Sequence, residues 1–154
     1  MTIEELGRAQ DQRSIGRTAA WLAKQVELSL AEVDLSLSQY RILGLLGEGS
    51  AVSSALAERL AVRPPSVTAV IDGLVARGLV ERKHAEDDRR RVSHELTDLG
   101  QRLLSGADSA VSERLELLAN RLPTARARDR AIENLGLWQQ AMKAHRDALA
   151  AARR

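Results

Sequence analysis

The chain has 154 residues, with 23 Lys and Arg against 21 Asp and Glu for a formal net charge of +2, and an isoelectric point near 9.5. That length suits one domain, or one domain with an oligomerisation extension, and it can bury a real core. There is no cysteine and no phenylalanine, and only one tyrosine and two tryptophans. Disulfides, thiolate catalysis and cysteine-based redox sensing are therefore excluded, while small aliphatic side chains suit a core of packed helices. No apolar run approaches the length of a membrane span. The charged start, MTIEELGRAQDQR, lacks the apolar stretch of a secretory signal, so a cytoplasmic location is the expectation.

Residues 8–34 read as a first helix with a narrow apolar stripe of Ile15, Ala19, Leu22, Val26 and Val33. Such a stripe serves either a partner helix or the chain's own domain, and the residues leave both open. Ser36 and Gln39 have the spacing of a capping box, which predicts a second helix from Leu37 to about Leu46, closed by Gly47 and Gly49. After a short extended Ala51-Val52, Ser53 is expected to cap a third helix through Leu60. Ala61, Val62 and Arg63 form the turn, without the glycine often found there.

The stretch RPPSVTAVIDGLVARG, residues 63–78, organises the chain. Val67, Val70, Ile71, Leu74 and Val75 define one helical face. Two prolines suit the first turn, and Gly78 suits a left-handed C-cap. The opposite face carries Ser66, Thr68, Ala69, Asp72, Gly73 and Ala76 instead of the Lys and Glu of a solvated surface. Short side chains let a helix approach another molecule closely, and the DNA major groove admits such a helix. An ordinary amphipathic core helix is the competing reading. Two short helices joined by a tight turn make a helix-turn-helix pattern.

The periodicity then changes from helix to strand. Leu79–Lys83 and Val92–Leu96 read as a hairpin, with Val92, His94 and Leu96 on its apolar side. Arg82, Lys83, Arg89, Arg90 and Arg91 crowd it, partly balanced by Glu86, Asp87 and Asp88. A solvated loop competes with a nucleic-acid contact here; position beside the small-faced helix favours the contact, since an arginine at such a tip can enter a narrow minor groove. Thr97 is expected to cap a long helix to about Leu122 through Leu99, Leu103, Ala107, Val111, Leu115, Leu118 and Leu122. Pro123 ends it. Thr124 caps a final helix with Ile132, Leu135, Met142, His145 and Leu149. The first and last helices hold more apolar stripe than a small helix-turn-helix domain can cover; a dimer built from both chain ends would cover it, and a monomeric bundle competes. His84, His94 and His145 lie far apart with no metal-ligand spacing, and no glycine-rich phosphate loop occurs, so no enzyme, metal or cofactor is expected. A helical interaction module without DNA binding is the alternative function.

Several segments in order carry a resemblance: Leu37-Ser38-Gln39-Tyr40-Arg41-Ile42-Leu43, Leu56-Ala57-Glu58-Arg59-Leu60, Pro64-Pro65-Ser66-Val67-Thr68, Leu74 to Arg82, Asp88-Arg89-Arg90, and Leu96-Thr97-Asp98-Leu99-Gly100. On these the chain resembles the MarR family of winged-helix transcriptional regulators. The resemblance implies a mainly α fold with a small β wing, a winged helix-turn-helix over 37–97 flanked by dimerisation helices at 8–34 and 98–150, all in one domain of 1–154. The recognition helix would span about 64–77 and the wing about 79–96. It further implies a homodimeric, sequence-specific repressor of double-stranded DNA, released by a small aromatic or phenolic effector. Carried over by position, Arg63, Pro65, Ser66, Thr68 and Ala69 would face the major groove. Arg90 would enter the minor groove, steadied by Asp88. Arg77, Lys83 and Arg89 would touch phosphates, and Trp21 and Tyr40 are the aromatic side chains for an effector pocket. Two positions depart from the pattern: Arg63 stands where a capping residue is common, and His94 where an aliphatic one is.

Overall fold

The computed structural model describes residues 3–84 and 92–152. Six helices and a two-stranded antiparallel sheet follow one another: α1 (Ile3–Glu32), α2 (Leu37–Gly47), α3 (Ser53–Leu60), α4 (Pro64–Ala76), β1 (Val80–His84), β2 (Val92–Leu96), α5 (Asp98–Ala119) and α6 (Ala125–Ala152). None of these helices is long and apolar enough to cross a membrane.

Local chemistry sets most of the boundaries. Ser36 accepts from the Gln39 amide while the Gln39 side chain accepts from the Ser36 amide, the reciprocal bonds of a capping box at the start of α2. Thr124 Oγ1 accepts from the Ala127 amide at the start of α6. Ser53 does not cap α3: the N-cap is Val52, with no side-chain bond, and Ser53 is already the first helical residue. The extended Ala51 preceding it is engaged elsewhere, exchanging backbone hydrogen bonds with His94 at 3.1 and 2.9 Å and so adding a single bridge to the sheet.

Three helices end by the same device. Beyond α1, α3 and α4, one left-handed residue turns the chain and the amide after it reaches back to a carbonyl five residues earlier: Leu35 to Leu30, Val62 to Ala57, and Leu79 to Leu74. The left-handed residues are Asp34 (φ 53°), Ala61 (φ 54°) and Gly78 (φ 68°). Gly78 takes this conformation without steric cost; Ala61 does not. The turn between α3 and α4 therefore has the glycine-type geometry but not the glycine.

The core gathers Leu30 and Leu35, Ile42, Leu43 and Leu46 of α2, Leu56 and Ala57 of α3, Val67, Ile71 and Leu74 of α4, Leu79 and Val80, and Leu104, Ala107 and Val111 of α5. The expected stripe of α4 is the observed one, with Val70 and Val75 at its edges. The stripes expected on the long helices are corrected. On α1, Ile15 and Ala19 are exposed, and Leu30 with Ser29 is buried instead. On α5, Leu99, Leu118 and Leu122 are exposed, Leu104 is buried, and the helix stops at Ala119, short of Leu122. A period of 3.6 leaves a choice of neighbouring positions, and packing of α5 on α1 and α2 makes that choice.

The start of α5 is locked onto the end of α4. Thr97 Oγ1 accepts from the Gly100 amide at 3.0 Å and donates to the Gly78 carbonyl at 2.7 Å, while the Thr97 amide donates to the Leu79 carbonyl. A Cβ on Gly100 would lie 2.0 Å from the Leu79 oxygen. Gly100→Ala is expected to cost roughly 3 kcal/mol or more, because backbone must move to admit the methyl group. At this chain length that lowers the melting temperature by about 6–12 °C. Ala61→Gly is expected to raise it, by up to ~1 kcal/mol in stability, by relieving the left-handed alanine. Thermal melts followed by circular dichroism check both; an Ala61→Gly protein no more stable than the parent would show that the turn carries no strain.

Candidate nucleic-acid interface

α4 begins with Arg63 as N-cap, making no side-chain cap bond, and with prolines at its first two positions. The prolines remove amides that would otherwise lack partners. Arg63, Pro65, Ser66, Thr68 and Ala69 are all exposed on this first part of the helix, opposite the buried Val67, Ile71 and Leu74. Thr68 turns its hydroxyl back to the Pro64 carbonyl at 3.2 Å, which leaves its methyl group and oxygen lone pairs outward. Five of the residues expected to face the major groove are thus brought together on one accessible patch.

The hairpin follows α4 directly. Its register pairs Val80 with Leu96, Glu81 with Glu95, Arg82 with His94, Lys83 with Ser93, and His84 with Val92. Strand alternation sorts these pairs onto two faces. Val80, Arg82 and His84, with Leu96, His94 and Val92 opposite, form the face toward α4. Glu81, Lys83, Ser93 and Glu95 form the other. Lys83 Nζ sits 2.8 Å from Glu95 and 3.4 Å from Glu81. Those carboxylates, Glu95 foremost, hold its ammonium protonated above the ordinary lysine range. Arg82 instead reaches across to Asp72 of α4 and pairs with it. His94 is 4% exposed, with Nδ1 3.2 Å from the Ala51 carbonyl oxygen. It is packed against the extended Ala51 as a buried, hydrogen-bonded side chain.

Arg77 lies apart from the patch. It is the C-cap of α4, about 20 Å along the helix from Arg63, and its guanidinium is 3.4 Å from Asp34 at the end of α1. Asp88, Arg89 and Arg90 lie outside the described residues. No group of histidine and acidic side chains among the described residues could hold a metal ion.

The two aromatic residues expected in an effector pocket are not brought together. Trp21 is 74% exposed on α1. Tyr40 is half-buried and lines a cleft of about 500 Å³ between α2, α3, α5 and α6, whose walls include Arg41, Glu48, Arg59, Gln101, Asp108 and Arg146. Its hydroxyl donates to Asp108 Oδ1 at 2.6 Å. Burial, and then the Asp108 carboxylate, push its phenol well above the ordinary 10.0. Across the same cleft Arg59 pairs with Glu48 and holds that carboxyl below its usual range. The walls are more polar and charged than an aromatic pocket would need, a property that the isolated positions of Trp21 and Tyr40 in the sequence could not reveal.

Because Tyr40 is the only tyrosine, an absorbance titration reads it directly. Tyr40 is expected to stay protonated past pH 10, and Asp108→Asn to bring its ionisation back toward the ordinary value. With a raised folded pKa, its contribution to stability is complete below the ordinary phenol value and is lost as pH rises above it. Ionisation at the ordinary value in the folded protein would overturn the assignment.

Comparison with known proteins agrees with this arrangement. A family model described as MarR family matches residues 33–91, a stretch that begins just after α1 and contains α2, α3, α4 and β1. An uncharacterized HTH-type transcriptional regulator of Mycobacterium bovis is 38% identical over 112 residues, which cover 72% of this chain and 76% of the relative. A mutant of Staphylococcus aureus MepR, solved bound to an oligodeoxyribonucleotide, shares the fold with a TM-score of 0.60 at 20% identity, over 92% of this chain and 99% of that one. CouR from Rhodococcus jostii, solved bound to p-coumaroyl-CoA, does so with a TM-score of 0.66 at 22% identity, over 83% and 87%. The segment matched by the family model holds the helix-turn-helix, and with these matches the chain belongs to the MarR family of DNA-binding transcriptional regulators and is not an enzyme.

Proposed function

We propose that the chain works as a homodimeric, ligand-responsive repressor that reads a pseudo-palindromic operator through the start of α4. The observation that carries this reading is the exposed patch of Arg63, Pro65, Ser66, Thr68 and Ala69, built of side chains short enough for close approach and set beside a wing. The helix start supplies sequence choice, through hydrogen bonds and methyl contacts to base edges. Arg63 contributes charge at the mouth of the groove, and Arg89 and Arg90, which lie between β1 and β2 in the sequence, with Asp88, serve the phosphates and the minor groove. Lys83 and Arg77 are each engaged by carboxylates away from the patch, so their share in phosphate binding is the smaller.

Dimerisation is supported by what α1 and α6 leave uncovered. Leu137, Trp138 and Met142 of α6 are exposed, Trp138 to 64%, as are Ile15 and Trp21 of α1. Apolar surface on this scale marks an interaction site. A second copy of the chain would present two α4 helices related by a two-fold axis, suited to half-sites about 34–36 Å apart. The effector reading rests on the cleft beside Tyr40, whose polar and charged walls suit the hydroxyl of a phenolic molecule more than a bare aromatic ring. An aromatic or phenolic molecule bound where the winged part meets the long helices changes DNA affinity if it binds the two dimer shapes unequally.

Fluorescence anisotropy with the DNA flanking the protein's own gene, and with random duplex, across a salt series tests the central claim. Preferential binding to the flanking DNA that weakens steeply with salt is expected. Ser66→Ala or Thr68→Ala is expected to narrow that preference by about 1–3 kcal/mol. Equal losses on both duplexes would make these residues backbone contacts. Arg90→Glu is expected to abolish DNA binding and leave the dimer intact. Light scattering should give twice the 16.8 kDa chain mass, and Trp138→Asp should halve it; a parent protein that scatters as a single chain would overturn the dimer.

A further inference from the structure

We propose that Arg82, at the root of the wing, is a DNA phosphate contact, and that Asp72 on α4 is the residue that positions it. This rests on α4 being the helix that faces the groove of DNA. The face of the hairpin turned toward α4 closes a groove of about 800 Å³. Its remaining walls are Val52, Ser53 and Ser54 at the start of α3, and Thr68, Ile71 and Asp72 of α4. Thr68 and Asp72 are four residues apart, so they stand one above the other on the same side of the helix. The arginine beside them is therefore on the side of the wing that approaches whatever α4 approaches. Lys83, its sequence neighbour, projects from the opposite face.

Arg82 and Asp72 are half-exposed, at 44% and 56% of their side chains. The guanidinium is a planar fork with five N–H donors and keeps its charge at any physiological pH. Its bond to Asp72 Oδ1 uses one of its nitrogens, Nη2. The carboxylate thus takes one edge of the fork, and other N–H groups remain to donate to a phosphate oxygen. Asp72 standing alone on this face would repel the DNA backbone. Joined to Arg82 it instead fixes the direction of a flexible side chain before DNA arrives. A bidentate-capable arginine already held in place loses less freedom on binding than a mobile one.

The test uses full-length protein with Arg82→Ala, Arg82→Gln, Arg82→Lys and Asp72→Asn. Thermal melting is measured alongside anisotropy on a random-sequence 30-base-pair duplex and on the protein's own upstream DNA, over a salt series. Removing one phosphate contact should flatten the slope of log affinity against log salt by about one on both duplexes in Arg82→Ala. Arg82→Gln, which keeps a hydrogen-bonding group for Asp72 but no charge, should flatten it equally and covers the case in which the alanine variant fails to fold. Arg82→Lys should retain the slope. Asp72→Asn should retain the slope but weaken binding to both duplexes alike, because Arg82 must then be ordered on binding. An unchanged slope in the Arg82→Ala or Arg82→Gln protein would reduce the pair to a structural clamp. A steeper slope in Asp72→Asn would mean that Asp72 masks Arg82 rather than aiming it. A parent protein with no salt-dependent binding to either duplex would overturn the groove-facing assignment of α4 itself, together with this proposal.

Discussion

The carbonyl of Leu79 is approached so closely by Gly100 that no side chain fits between them. Around that contact Thr97 bonds to Gly78, Leu79 and Gly100. Three parts of the chain meet there: the end of α4, the residue that leads into β1 and the first turn of α5. Each could rotate about its own connection if the junction were loose. Held together, they give the wing one position relative to α4 and give α5 one direction away from both. The placement of Arg82 against Asp72, and the direction in which α5 leaves the end of α4, both follow from this junction.

A second constraint is electrostatic. The chain is rich in arginine, and part of that charge is matched by carboxylates. Arg59 meets Glu48, Arg77 meets Asp34, Arg82 meets Asp72, and Arg114 of α5 meets Glu32 of α1. Pairs this exposed contribute about 0–1 kcal/mol each, so they hold orientation more than they hold the fold. For a DNA-binding protein this limits indiscriminate attraction to phosphate, because a paired arginine keeps only part of its N–H donors for another anion. The exposed start of α4, where Arg63 is followed by Pro65, Ser66, Thr68 and Ala69, is almost free of long charged side chains.

The parts of the structure that were legible in advance are those whose cause is local. The Ser36–Gln39 capping box, the prolines of α4, the left-handed Gly78, the Thr97 and Thr124 caps and the limits of β2 each depend on atoms within a few residues of one another. The stripe of α4 was legible too, because Val67, Ile71 and Leu74 are packed from one side only. Ser53 misled because a serine before a helix looks like a cap wherever it falls. The long helices misled because Ile15, Leu99 and Leu118 fit the helical period as well as Leu30 and Leu104 do.

The amino-acid sequence by itself determined the order of elements, most of their ends, and which helix presents a short-chained face, since these are set by backbone geometry and nearest-neighbour hydrogen bonds. Only tertiary structure decided that Ala61 must adopt a glycine's conformation, that Lys83 and Arg82 leave the hairpin on opposite faces with different partners, that Tyr40 bonds to Asp108 while Trp21 stands exposed, and that Gly100 is required. Each of these depends on a contact between residues distant in the chain, or on how tightly two helices must turn to share one core. Local periodicity contains no record of either.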